Sequence, residues 1–116
     1  MANFTIYMHT CRSNGKSYIG ITSRSMDHRW KGHIRRAKKG SEYVFHCAIR
    51  KYGYDVWDHK VLETAFDLES AKNAERRLIL EHKTCILDEN SDGYNMTRGG
   101  DTTYEYLPRG ENHHMF

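Results

Sequence analysis

Proline is nearly missing from this chain, one residue in 116, and no Gly/Ser-rich stretch takes its place as a linker, so a split into separate units is not expected. Cysteine is scarce as well. Three thiols, an odd number without framework spacing, exclude a disulfide-stapled scaffold and point to free cysteines in a reducing compartment. No window approaches the ~20 apolar residues of a bilayer span. The first residues also lack the basic start and apolar run of a secretory signal, so neither membrane insertion nor export is expected. Internal repeats and low-complexity tracts are absent. What remains is one domain's length of chain, 38% hydrophobic and 12% aromatic, enough to bury a core.

Acidic residues are sparse in the first third. Residues 12–40 hold nine Lys/Arg against Asp27 alone, whereas residues 55–92 hold ten Asp/Glu against five Lys/Arg. The net charge of +3 hides this asymmetry. One strongly positive face is expected, with a polyanion as its natural partner and Lys31, Arg35, Arg36, Lys38 and Lys39 as candidate phosphate contacts. A solvated basic helix with no partner is the plainer alternative.

Asn14-Gly15 inside "IYMHTCRSNGKSYIG" (6–20) is the strongest short-range hairpin signal, because both central residues of a type I′ turn need positive φ. With those two residues as the loop, Met8 faces Ile21, His9 faces Gly20 and Cys11 faces Tyr18. Strand side chains alternate with period 2, so Phe4, Ile6, Met8, Ile19 and Ile21 form a core face. Tyr7, His9, Tyr18, Gly20 and Thr22 form the other, with Gly20 leaving a gap opposite His9 for a ligand or another backbone.

Three helices follow from the 3.6-residue period. In "SRSMDHRWKGHIRRAKKG", Ser25 or Ser23 caps the start, Gly40 ends it, and Met26, Trp30, Ile34 and Ala37 form the buried stripe, with Arg29 and His33 bordering it. "EYVFHCAIRKYG" places Phe45, Ala48, Ile49 and Tyr52 on one face, and "DVWDHKVLETA" reads as a third strand. Asp67 caps the longest helix, whose stripe of Leu68, Ala71, Glu75, Leu78 and His82 puts a carboxylate where an apolar residue belongs. Such a carboxylate is costly unless paired, hydrogen-bonded or metal-bound. A buried salt bridge to Arg29 or Arg36 is one resolution and a functional site the other. Beyond it, a short extended piece is expected around Tyr94 to Met96.

"TIY" (5–7), "SYIG" (17–20), "RWKGH" (29–33), "AE" (74–75) and "DGYN" (92–95), in that order and spacing, resemble the GIY-YIG nuclease domain, most closely that of phage-type homing endonucleases. The resemblance implies a small α+β domain over residues 1–99, a three-stranded antiparallel sheet flanked by helices, that hydrolyses double-stranded DNA with one Mg²⁺ or Mn²⁺ in the cytoplasm of a bacterial or phage-infected cell. It carries the family's functional residues onto Tyr7, Tyr18, Arg29, His33, Glu75 and Asn95. Thr5 replaces the glycine that opens the family name. A histidine that relatives carry early in the second helical region falls here on Gly40-Ser41, and His46 is a poor substitute for it. Residues 100–116 form an arm whose "GENHHMF" is similar to the start of a short DNA-binding module, or is a plain polar tail.

Phosphodiester hydrolysis needs an activated water, neutralised phosphate charge and help for the departing oxygen. Under the resemblance, Glu75 holds the metal, Arg29 clamps the phosphate, Tyr18 binds the phosphate or the water, and Asn95 fixes geometry. Tyr7 serves as general base, although a free phenol titrates near about 10, so a cationic neighbour is required, with Lys16 and His33 as the candidates. Rival readings are a DNA- or RNA-binding module of the same fold without turnover, a repair or restriction nuclease of the same superfamily, and a zinc site built from His9, Cys11, His82 and Cys85. The spacing of the last is not that of a ribbon or finger.

Overall fold

The structure is a computed structural model and describes residues 3–99. The arm assigned to residues 100–116, with its "GENHHMF" stretch, lies outside them. Six elements follow in order: β1 (Phe4–Cys11), β2 (Ser17–Thr22), α1 (Met26–Lys38), α2 (Val44–Tyr52), β3 (Trp57–Ala65) and α3 (Leu68–His82). The strands make one antiparallel sheet in the order β2-β1-β3. The fold is therefore α+β, a three-stranded sheet with three helices. No helix among the described residues is long and apolar enough to cross a membrane.

The two faces of the hairpin separate as their alternation dictates. Ile6, Ile19 and Ile21 pack with Ala71, Ala74, Leu78 and Ile79 of α3. Cys11 on the opposite face packs with Trp30 and Ala37 of α1, Phe45, Ala48 and Ile49 of α2, and Trp57. The sheet is thus a partition between α3 on one side and the α1–α2 pair on the other. Each nearly fully buried isoleucine contributes about 1.5–3 kcal/mol relative to exposure, so the partition is held from both sides.

The register differs from the two-residue turn. Tyr7 faces Gly20, Met8 faces Ile19 and His9 faces Tyr18, a slip of two residues from the expected pairing. A slip of two returns every side chain to its own face, which is why the face assignment survives it. Residues 12–16 form the connection: the Cys11 N–H donates to Lys16 O, the Gly15 N–H donates to Cys11 O, and only Gly15 of the Asn14-Gly15 pair has positive φ. Asn14 is used through its side chain instead. Its Oδ1 accepts from the Lys16 N–H, and its Nδ2 donates to Tyr94 Oη at 2.7 Å.

Helix ends follow the caps in the sequence. Ser25 accepts from the His28 N–H, Asp67 accepts from the Ser70 N–H, and Gly53 ends α2. The inward stripes need adjustment. In α1 it is His33, rather than the half-buried Ile34, that lies fully inside with Trp30 and Ala37; in α3 His82 is exposed and the buried set ends at Leu78 and Ile79.

The segment after α3 closes the free edge of β2. The Ser17 N–H donates to Asp92 O and the Tyr94 N–H donates to Ser17 O, giving a short parallel bridge, while the Asn95 N–H donates to Thr84 O. A Cβ at Gly93 would lie 2.4 Å from Thr84 Cα and 2.5 Å from Ser17 O, so backbone approach there admits only glycine.

Candidate active site

β1 is the central strand, hydrogen-bonded on both sides, and Tyr7 sits in its middle, 1% exposed, beside a register shift where β3 carries Leu62 as an extra residue. Such bulges re-aim side chains next to functional sites. The phenol reaches across β2: a Cβ at Gly20 would lie 2.4 Å from Tyr7 Oη and 2.6 Å from its Cζ. The gap at Gly20 therefore lies opposite Tyr7 rather than His9, and the phenol itself fills it.

Tyr7 Oη is 3.0 Å from His33 Nε2, His33 Nδ1 is 2.9 Å from His46 Nε2, and His46 Nδ1 is 2.7 Å from Ser41 Oγ. His46, a doubtful substitute in the sequence reading, is thus hydrogen-bonded to the His33 that contacts Tyr7. Tyr18 stacks on Phe45 with centroids 4.2 Å apart and meets the His33 ring edge-on at 5.4 Å. Both histidines are held neutral. Burial, then the charge of Arg29, pushes His33 well below its ordinary value, and burial, then Arg36 and Arg29, pushes His46 down to about 3. The Arg29 and Arg36 guanidiniums are thus near enough for their charges to act on both imidazoles.

Arg36 is half-buried and its charge acts on His46, whereas Lys31, Arg35 and Lys38 of α1 and Lys39 just past it are exposed. Lys31 pairs with Asp27 at 3.2 Å, and Lys38 Nζ lies 5.2 Å from the centroid of the Tyr54 ring. Lys16 is exposed on the hairpin connection, four strand residues and about 13 Å along β2 from Gly20. Of the two groups offered to assist Tyr7, His33 is the one in contact, and as a neutral imidazole rather than a cation.

Asn95 uses its whole amide on the edge strand. Its Nδ2 donates to Ile19 O at 2.7 Å and its Oδ1 accepts from the Ile19 N–H at 2.9 Å. Ile19 lies between Tyr18 and Gly20, so this clamp holds the backbone that carries both.

Glu75 is 5% exposed on the inward side of α3, the helix packed against the other face of the sheet. Among the described residues no group of three His, Cys, Asp or Glu side chains could hold a metal ion. One buried carboxylate fits Mg²⁺ or Mn²⁺, which keep several waters and take a substrate phosphate as further ligands, and does not fit the four protein ligands of structural zinc.

A second imidazole pair lies beyond the phenol. His9, fully buried, stacks parallel to Phe45, and its Nδ1 is 2.9 Å from His59 Nδ1, while its Nε2 has no hydrogen-bond partner. Burial, then the charges of His59 and Arg29, pushes His9 down to about 3. Sequence reasoning placed His9 on the right face but had no signal for its partner, fifty residues away.

Residues 3–91 match the sequence profile of the GIY-YIG catalytic domain. The chain belongs to the GIY-YIG family. Its fold is similar to two solved structures. The catalytic domain of intron endonuclease I-TevI, in an alanine mutant, shares 24% identity over 82% of this chain and 95% of that one, with a TM-score of 0.66. The catalytic domain of homing endonuclease I-TevI shares 25% identity over 81% and 98%, with a TM-score of 0.64. No curated protein matches the chain. A GIY-YIG nuclease domain similar to the I-TevI catalytic domain is thus what residues 3–91 form, and Asn95 extends the packed unit past the end of that match.

Proposed function

We propose that this GIY-YIG domain is a divalent-metal-dependent endodeoxyribonuclease, the catalytic part of a homing-type enzyme acting on double-stranded DNA. The observation that carries the reading is the Tyr7 phenol. It is laid over Gly20, bonded to the His33 imidazole, and flanked by Tyr18, with the Arg29 charge acting on that same imidazole.

A neutral His33 accepts the Tyr7 hydroxyl proton, which frees the phenol oxygen to take one from an attacking water. The Arg29 fork neutralises phosphate charge. Tyr18, half-buried and held flat by Phe45, offers its hydroxyl to the phosphate or the water. Asn95 keeps Tyr18 and Gly20 in register through Ile19. Glu75 is the residue that would hold Mg²⁺ or Mn²⁺, and the ion when bound supplies Lewis-acid polarisation of the phosphate and stabilisation of the departing 3′ oxygen. The exposed Lys31, Arg35, Lys38 and Lys39, with Arg36 at the edge of the inner cluster, supply sequence-independent affinity through counterion release.

The test is conversion of supercoiled plasmid to nicked or linear DNA with Mg²⁺ or Mn²⁺, repeated with EDTA and with Glu75→Gln and Arg29→Ala. Cleavage by the native chain, abolished by EDTA and by each substitution without unfolding, is the expected result. DNA binding without turnover under all metal conditions would overturn it.

A further inference from the structure

We propose that His33, His46 and Ser41 form a proton relay that carries the Tyr7 hydroxyl proton out of the buried site to solvent as water attacks the phosphodiester. The inference rests on the nuclease reading above and adds to it two relay residues, Ser41 and His46, which touch neither substrate nor metal and act through Tyr7.

Every link is a hydrogen bond of 3.0 Å or less, and both nitrogens of both rings are used, one on each side. The line starts at a phenol that is 1% exposed and ends at Ser41, which is half-buried and follows the last turn of α1. The Tyr43 N–H also donates to Ser41 Oγ at 3.3 Å, which leaves the serine hydroxyl proton free to point outward. A merely space-filling role would be met at lower cost by apolar side chains, because each buried polar group here needs a partner at both ends. The His9–His59 pair shows the contrast: it stops at His9 Nε2, which contacts no hydrogen-bonding group, and so cannot conduct.

With both rings neutral, each carries one N–H and one lone pair, and the chain has two polarities. Before attack, Tyr7 Oη–H donates to His33 Nε2, His33 Nδ1–H donates to His46 Nε2, and His46 Nδ1–H donates to Ser41 Oγ. As the water oxygen bonds to phosphorus, the water's proton passes to Tyr7 Oη. The phenol proton moves to His33 Nε2, the His33 Nδ1 proton to His46 Nε2, the His46 Nδ1 proton to Ser41 Oγ, and the serine's own proton to bulk water. No ring gains net charge, which suits imidazoles that burial, then the charges of Arg29 and Arg36, disfavour protonating. The reverse shift, with Tyr7 releasing its proton after product leaves, resets the chain.

The experiment is single-turnover plasmid nicking by the 116-residue chain in H₂O/D₂O mixtures, with Ser41→Ala, Ser41→Thr and His46→Gln. Gln retains hydrogen bonds but cannot pass a proton through itself. The native chain is expected to give a bowed proton inventory, the signature of several protons in flight. Ser41→Ala and His46→Gln are expected to lower the single-turnover rate by about 10²–10⁴-fold, the usual scale of a positioned proton-transfer group, with unchanged DNA affinity and a linear inventory. Ser41→Thr restores rate and curvature. Equal rates in all variants, or a lowered rate with the curvature intact, would overturn the relay and leave the nuclease reading standing. A native chain that never nicks DNA overturns the nuclease reading and the relay with it. Nitrogen NMR of the histidines supplies a readout without turnover: His33 and His46 are expected to be neutral and in the same tautomer at pH 7, and an imidazolium at either would refute the proposal.

Discussion

Gly20→Ala tests how the base is seated. The added Cβ would stand 2.4 Å from Tyr7 Oη, 2.6 Å from Cζ and 3.1 Å from Tyr18 Cε2, against an ordinary contact distance of 3.4–4 Å. Relief requires the phenol end to retreat by about 1 Å, since closer approach is excluded by close packing. The ring cannot swing freely. It is 1% exposed, backed by the His9 ring at 4.7 Å, and bonded to His33. Overpacking of this kind costs about 1–3 kcal/mol, and a stretched or lost Tyr7–His33 bond leaves buried polar groups unsatisfied at about 1–3 kcal/mol. The sum is about 2–6 kcal/mol of stability, read as a fall in the urea midpoint at constant m. A 1 Å misplacement of a reacting group also costs about 10²-fold in rate. The decisive control is Gly20→Ala in a Tyr7→Leu background, where the rigid phenol is gone. There the alanine is expected to cost under about 1 kcal/mol, so the two substitutions couple strongly. A Gly20→Ala protein with native midpoint and nicking rate, or an equal cost in both backgrounds, would refute this account of Gly20.

Asn95→Ala removes both bonds to a fully buried Ile19 backbone, and about 2–6 kcal/mol of destabilisation is expected from two orphaned groups; urea unfolding checks it, and hydrogen exchange at the Ile19 amide should speed up. Stability should decline on mild acidification. His9 and His46 titrate near 3 in the folded chain and near 6.5 unfolded, with His33 also depressed. Above pH 6.5 both states are neutral at these rings, and as pH falls from 6.5 toward 3 only the unfolded chain takes up protons. Each such ring contributes a slope of about 1.4 kcal/mol per pH unit, and urea midpoints of His46→Gln should show one ring's share removed. Replacing Lys38 and Lys39 with Ala should weaken DNA binding evenly across sequences and reduce the slope of log affinity against log salt by about 0.9 per lost phosphate contact; an unchanged slope would exclude them from the interface.

Patterning along the chain by itself determined the elements and the two faces of the hairpin. Alternation in 4–11 and 17–22, the Ser25 and Asp67 caps, and the odd placement of Glu75 are local properties, written within one or two turns, and five short motifs in order were enough to indicate GIY-YIG. Tertiary structure decided three things that local periods leave open. The hairpin register shifted by two because Asn14 spends its side chain on Lys16 and on Tyr94, eighty residues away, and a period-2 pattern is blind to even slips. His46, which looked misplaced in the chain, reaches His33 because α1 and α2 pack side by side on one face of the sheet, and their relative rotation follows from the Trp30, Phe45 and Trp57 core rather than from either helix alone. Asn95 became the clamp on β2 only because the segment after α3 returns to the free edge of that strand. Contacts between residues far apart in the chain depend on how whole faces dock, and no local spacing encodes them.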